Sequence, residues 1–267
     1  MNSPQRWSTR TLNEGEWQRF DFAELSLVIL NAWEEWRIAL LPEQYHDLQP
    51  FGTLEHLPAG LDWERWDNDP KDSKLMLRPT YPTLPVVAKP LSVLNISPRG
   101  VANFYIGIPA WIEVMAECQG SMIALKAYPA EPLSKTWHGT SLVGSVAYAL
   151  KTHARRTFVA EHWPKHDIVC SISLSNKGAE ILPFDRLYLE TDHLSVFESG
   201  GRLWSNAARI ASGESGAQLS DIIYAAKPAK PNSEAVELTP ARKGYVRSSS
   251  MKTAFSSLLG QFTTYDD

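Results

Sequence analysis

Trp137, His138, Gly139 and Thr140 stand together in a segment that reads as a turn. A tight glycine turn can expose an imidazole and a hydroxyl at one point. General acid–base chemistry there would also need a carboxylate and a pocket. Asp185, Glu190, Asp192 and His193 are remote in sequence, so only the fold can bring them close. A second candidate is a row of cations. Lys151, His153 and Arg155 share one face of a strand, with Arg156 adjacent. Such a row can hold phosphate or carboxylate groups through charge-assisted hydrogen bonds. It can equally be the solvated face of an edge strand, where charge discourages unwanted pairing. A third candidate is His162 and His166, four apart and flanked by Glu161 and Asp167. On a helix that spacing suits zinc. Pro164 lies between them and disfavours a helix, so a solvated loop is the better reading. No metal or other cofactor is expected. The ligand-binding candidates are therefore Trp137, His138, Lys151, His153, Arg155, Arg156, Asp185 and His193, and no catalytic residue stands out.

Ten tryptophans in 267 residues is a high share. Trp33 with Trp36, and Trp63 with Trp66, are the pairs most able to form a stacking platform. Their neighbours Glu34, Glu35, Glu64, Asp67 and Asp69 are acidic, whereas nucleic-acid stacking wants basic neighbours. Carbohydrate or protein contact fits better, and packing in a core or hairpin fits best. Nucleic acid is not expected as a partner. The chain has no phosphate loop ending in GK[ST], no GxGxxG, no GxSxG, no CxxC and no EF-hand loop. That disfavours NTPases, dinucleotide enzymes, elbow-type serine hydrolases and zinc fingers.

The elements that must position these residues read at period two. Leu25, Leu27 and Ile29, then Trp36, Ile38 and Leu40, alternate within 16–41 and favour strands there over a helix. Residues 60–72 read as an acidic loop with a short helical turn around Trp63 and Trp66. Residues 74–128 read as a β meander whose prolines make its strands edges, bent or short. Residues 142–156 fit a strand or a helix. Residues 167–212 carry the plainest β signal, with strands parted by SNKG and ESGG. The tail spaces Met251, Phe255, Leu258 and Leu259 as a short helix would. The expected fold is mainly β: two antiparallel β-sandwich-like units with a short C-terminal helix. The expected boundaries are 1–130, 131–225, and 226–267 as linker and tail.

Composition sets the outer limits. The net charge is −4, but the first 72 residues hold 14 acids against 6 bases. There is no long charge-free apolar run, so a membrane-spanning helix is not expected. Cys118 and Cys170 sit in apolar, strand-like surroundings and read as buried thiols. The polar N-terminus is unlike a secretory signal, which makes the cytoplasm the expected compartment.

LSKTWHGTSLVGSVAYALKTHARR (133–156), LPFDRLYLETDHLSVF (182–197) and GGRLWSNA (200–207) resemble a prokaryotic family of undetermined role, domain of unknown function four-three-two. The resemblance implies a small, cytoplasmic, single-chain protein and supplies no catalytic residues. The expected function is that of a non-catalytic binding or accessory protein. Its partner would be a protein, the cytoplasmic side of a membrane protein included, and the oligomeric state is not legible. The rival expectation is an enzyme with a dispersed site for a small anionic or sugar-like substrate. It requires His138, Arg155, Asp185 and His193 to meet in one pocket.

Overall fold

The computed structural model describes residues 7–69, 73–139, 142–212, 219–229 and 234–243. The chain opens with β1 (Arg10–Thr11), β2 (Glu16–Phe22), β3 (Leu25–Ala32), β4 (Glu35–Leu40), β5 (Phe51–Thr53), β6 (Glu64–Asp67) and β7 (Lys74–Thr80). It continues through β8 (Val86–Pro90), β9 (Leu94–Ile96) and β10 (Val101–Pro109), then β11 (Trp111–Cys118) and β12 (Ser121–Pro129). The rest forms β13 (Lys135–Gly139), β14 (Gly144–Thr152), β15 (Asp167–Ser175), β16 (Leu182–Phe184) and β17 (Leu187–Leu189). It closes with β18 (Val196–Ser199), β19 (Arg202–Ser205), β20 (Ala208–Ser212), β21 (Leu219–Tyr224) and β22 (Val236–Thr239). The protein is mainly β, and among the described residues no helix reaches seven residues. Among them, too, no helix is long and apolar enough to cross a membrane.

Sheet I runs β5-β2-β3-β4-β6 and sheet II runs β1-β7-β11-β12. They pack face to face because alternate residues are apolar. Phe20, Leu27, Ile29 and Trp36 from sheet I meet Leu75, Leu77, Ile112 and Val114 from sheet II. The other face of β3 is buried as well. Val28 and Leu30 lie under the 41–63 segment, with Leu41, Leu48, Leu57 and Trp63 packed on them. This explains why LSLVIL reads as an apolar run rather than a clean alternation. Trp17 of β2 closes that layer, donating to the Thr53 carbonyl at 2.8 Å. A side chain at Gly52 would press on its ring, 2.8 Å from Cζ2.

Sheet III runs β13-β14-β8-β17, and sheet IV runs β21-β20-β15-β19-β18-β22, with β10 on the free side of β15. Val86, Ala88, Tyr148 and Leu150 of sheet III pack onto Phe104, Ile106, Cys170 and Ile172 of sheet IV. The ribbon β16-β9 completes this second core through Phe184 and Ile96.

Four expectations change. The second unit is mixed rather than antiparallel, since β14 pairs β8 in parallel and β15 pairs both β19 and β20 in parallel. Pairing does not divide the chain at residue 130: β8, β9 and β10 join strands that follow residue 131, while β11 and β12 return to β7. The 74–128 segment is therefore shared between two cores instead of forming one meander. Glu64–Asp67 is a strand on β4, with Trp66 opposite Trp36, not a helical turn. Residues 144–152 form a strand, and the expected helix over 248–261 lies outside the described residues.

Leu27 has no exposed surface and sits between sheets I and II. Leu27→Ala is expected to cost about 2–5 kcal/mol. Urea unfolding followed by tryptophan fluorescence measures it, and a loss under about 1 kcal/mol would contradict this packing.

Candidate functional site

A cleft of about 660 Å³, within the range of small-molecule sites, lies among the described residues. One wall is β2, contributing Arg19, Phe20, Asp21 and Phe22, with Arg10 of β1 and Trp7 beside it. The opposite wall is the β18–β19 turn, Gly200 and Gly201, followed by Arg202 and faced by Lys165. The cleft thus lies where the two cores meet. Local sequence explains both walls. β5 pairs with Glu16–Gln18 and the Arg19 amide donates to the Pro50 carbonyl, so the β5 ladder stops short of Phe20–Phe22. Gly200 and Gly201 both take positive φ, 58° and 73°, as a two-residue hairpin turn between right-twisted strands requires.

Four lining cations face one lining carboxylate, Asp21. Arg19 and Arg202 are held in place by main-chain carbonyls. Arg19 donates to His46 and Leu48 carbonyls and pairs with Asp21 at 2.8 Å. Arg202 donates to the carbonyls of Ala160, Trp163 (2.5 Å) and Pro164 (3.1 Å). Carbonyls fix a guanidinium without neutralising it. Arg10 stands over the Phe20 ring at 5.1 Å, and burial lowers its pKa. Trp7 stacks on Phe22, with ring centroids 5.8 Å apart. Lys165 is exposed at the rim, without an ion pair among the described residues. The cleft therefore offers positive charge beside flat apolar surface.

Behind Arg202 lies a titratable cluster. His166 Nε2 is 3.4 Å from Glu131 Oε2 and 3.7 Å from Asp167 Oδ1. Asp167 is buried against Gly107, where an added Cβ would collide with its carboxylate and lie 3.0 Å from the Trp163 ring. Burial pushes the Asp167 carboxyl up to about 6; His166 and Arg202 oppose that shift and Glu131 adds to it. His162, by contrast, ends an exposed 3-10 turn, Ala160–His162. No group of three or more side chains able to hold a metal ion occurs among the described residues.

The sequence-derived candidates fall elsewhere. His138 on β13 stacks on Tyr188 of β17, centroids 4.5 Å apart, and Tyr188 shares a 3.2 Å hydroxyl contact with Ser145. Burial, and then the nearby Arg186 charge, lower the His138 pKa. Asp185 pairs with Arg186 at 3.2 Å, the same arginine whose charge acts on His138. Lys151 is exposed on β14, the strand between β13 and β8. The expected cation row does not continue. The strand ends at Thr152, Ala154 takes φ 45°, and Arg155 turns away to bridge Tyr105. His153 and Arg156 lie exposed beyond the strand. Trp137 alternates to the other face from His138 and is 54% exposed. His193 is buried against Tyr224, 3.5 Å from Glu190.

The tryptophan pairs do not form platforms: Trp36 is 1% exposed, while Trp33 projects from the β3–β4 turn at 61%. Both cysteines are free, and burial pushes the Cys170 thiol up to about 12, which makes it a poor nucleophile. Sequence reasoning passed over Arg10, Arg19, Lys165 and Arg202. One signal was present: Arg10 and Arg19 are two of only six bases in the acidic first 72 residues.

The family described as Protein of unknown function (DUF432) matches residues 6–259. No curated protein and no solved structure matches the chain.

The Asp167 geometry fixes the sign of a pH effect. The unfolded carboxyl titrates near 3.8 and the folded one near 6. Between those values only the folded state holds the proton. This group therefore favours folding below about pH 4, and that contribution is lost as pH rises to about 6. Asp167→Asn should be the more stable protein at pH 7, by on the order of 1–3 kcal/mol, and lack that slope. Denaturant unfolding of both proteins from pH 4 to 7 reads it; parallel profiles would refute the assignment.

Proposed function

The chain belongs to the DUF432 family, and we propose that it is a binding protein whose inter-core cleft takes a small anionic molecule bearing a flat or ring-shaped part. The supporting observation is the lining itself: Arg10, Arg19, Lys165 and Arg202 around a stacked Trp7–Phe22 pair, with Asp21 the single acid. In a protein of net charge −4, a cationic cleft is a local feature that composition alone does not produce. The guanidinium groups accept carboxylate or phosphate geometry, and the half-buried Trp7 indole, backed by Phe22, provides the ring surface. An accessory role follows if the occupied cleft sets the relation of the two cores.

A second reading, an enzyme acting on a small anionic or sugar-like substrate, draws on Asp167. A carboxyl that titrates near 6 suits general acid–base work, and Asp167 shares the Arg202 charge with the cleft wall. Against it, Asp167 lies beneath Gly107 and its side chain is only 12% exposed.

A thermal-shift panel of anionic metabolites should yield compounds that raise the melting temperature of the wild type. Lys165→Glu, at the exposed rim, should weaken such a compound about tenfold or more, equivalent to about 1.4 kcal/mol. If no anion in the panel shifts the melting point, or if Lys165→Glu binds equally well, the cleft reading fails. Recovery of the ligand chemically unchanged after incubation separates binding from turnover.

A further inference from the structure

Sheet III has two faces with different tasks. Val86, Ala88, Tyr148 and Leu150 point into the second core. On the opposite face Val87, Ala147 and Tyr188 form a small apolar cluster, over which the His138 ring stacks. The same face carries Lys89 and Lys151. Both are exposed, and they are direct partners in the parallel β8–β14 ladder. Adjacent strands lie about 4.8 Å apart, so two positive charges stand side by side. On the far side of β8, Arg186 immediately precedes the Leu187↔Ala88 pair.

This arrangement carries a like-charge penalty in the free protein, reduced by water because both lysines are exposed. Like charges directly opposite one another on a sheet oppose pairing. Neither Lys89 nor Lys151 has an ion pair among the described residues, and Asp185 is the carboxylate that reaches Arg186. Edge protection does not account for the lysines, because β14 and β8 are both interior strands of their sheet. The first 72 residues, which hold 14 of the 30 acids, build sheet I and the β1 edge of sheet II, and not sheet III. An anion held between the two ammonium groups would cancel that repulsion, with Arg186 and His138 as further donors.

We infer that the outer face of sheet III is a second, separate anion site, in which Lys89 and Lys151 hold a phosphate group of a soluble phosphate ester, flanked by Arg186 and His138. The lysines act as paired point charges, and the His138–Tyr188 stack borders the rest of the ligand. The site uses two lysines from adjacent strands and Arg186 from the residue before β17, and it shares no residue with the inter-core cleft.

Inorganic pyrophosphate is the probe, added at low ionic strength to the full chain and followed by calorimetry and by the His138 ring resonances in NMR. The wild type should bind at millimolar concentration or tighter, and the His138 titration midpoint should move upward as the anion binds. Lys151→Glu places opposite charges across the ladder. It should raise the melting temperature without ligand and lose the pyrophosphate response at least tenfold. Lys89→Gln should lose the response too, whereas Lys165→Glu should keep it. Two results overturn the inference: no pyrophosphate response in the wild type, or a response that survives Lys151→Glu and disappears in Lys165→Glu. The second would move the phosphate to the cleft and leave the cleft reading intact.

Discussion

A short relay of main-chain hydrogen bonds joins the two cores. The Glu24 amide donates to the Ala130 carbonyl at 3.2 Å, the Ala130 amide to Ala110 at 3.0 Å, and the Ala110 amide to His166 at 3.0 Å. Glu24 belongs to the β2–β3 turn, Ala130 ends the β12 excursion, Ala110 separates β10 from β11, and His166 precedes β15. Four remote points of the chain are thus fixed to each other. Ala110 and Ala130 have no exposed surface, so breaking a link would strand a buried amide or carbonyl. The small side chains matter because a larger residue would part the strands that make these bonds. The relay also fixes the cleft. It holds β2 against the 163–166 segment, from which Lys165 faces the arginines of the first unit.

The chain passes between cores at Thr80–Val86, at Pro109–Trp111 and after Pro129, so neither unit is a continuous piece of sequence. Thr239 adds another tie by donating to the Pro79 carbonyl at 2.6 Å. Interleaving of this kind raises the sequence separation of contacts and makes assembly slower and more cooperative. It also couples the two cores: loosening β11 from β7 disturbs the β10–Ala110 register that β15 depends on.

How far the sequence could be read follows from range. Period-two alternation is a local property, and it located β2, β3 and β4 and the strands of 167–212 correctly. Glycine pairs are local too, and Gly200-Gly201 is the turn that ESGG suggested. Strand partnership is not local. Nothing in LPVVAKP announces a parallel pairing with SVAYALKT sixty residues on, and so the face that Lys151 shares with Lys89 was invisible. Tryptophan gave a mixed signal for the same reason: Trp33 and Trp36 are three apart, but a turn residue at φ 60°, Glu34, sends one to solvent and the other into the core. The apparent cation row over 151–155 failed because the strand stops before Ala154, and alternation beyond a strand end carries no meaning.

The two cationic regions differ in how their charge is held, and that difference assigns them different tasks. In the cleft, Arg19 and Arg202 are anchored by carbonyl acceptors, and Arg10 lies over an aromatic ring. Their side-chain entropy is already spent in folding, so a ligand meets a fixed array. A fixed array discriminates by shape. Lys89 and Lys151 have no such anchors, and their long stems give reach without direction. A lysine pair discriminates by charge. On the proposed reading, recognition of a particular molecule belongs to the arginine cleft, while the lysine ladder responds to the class of anion presented to it.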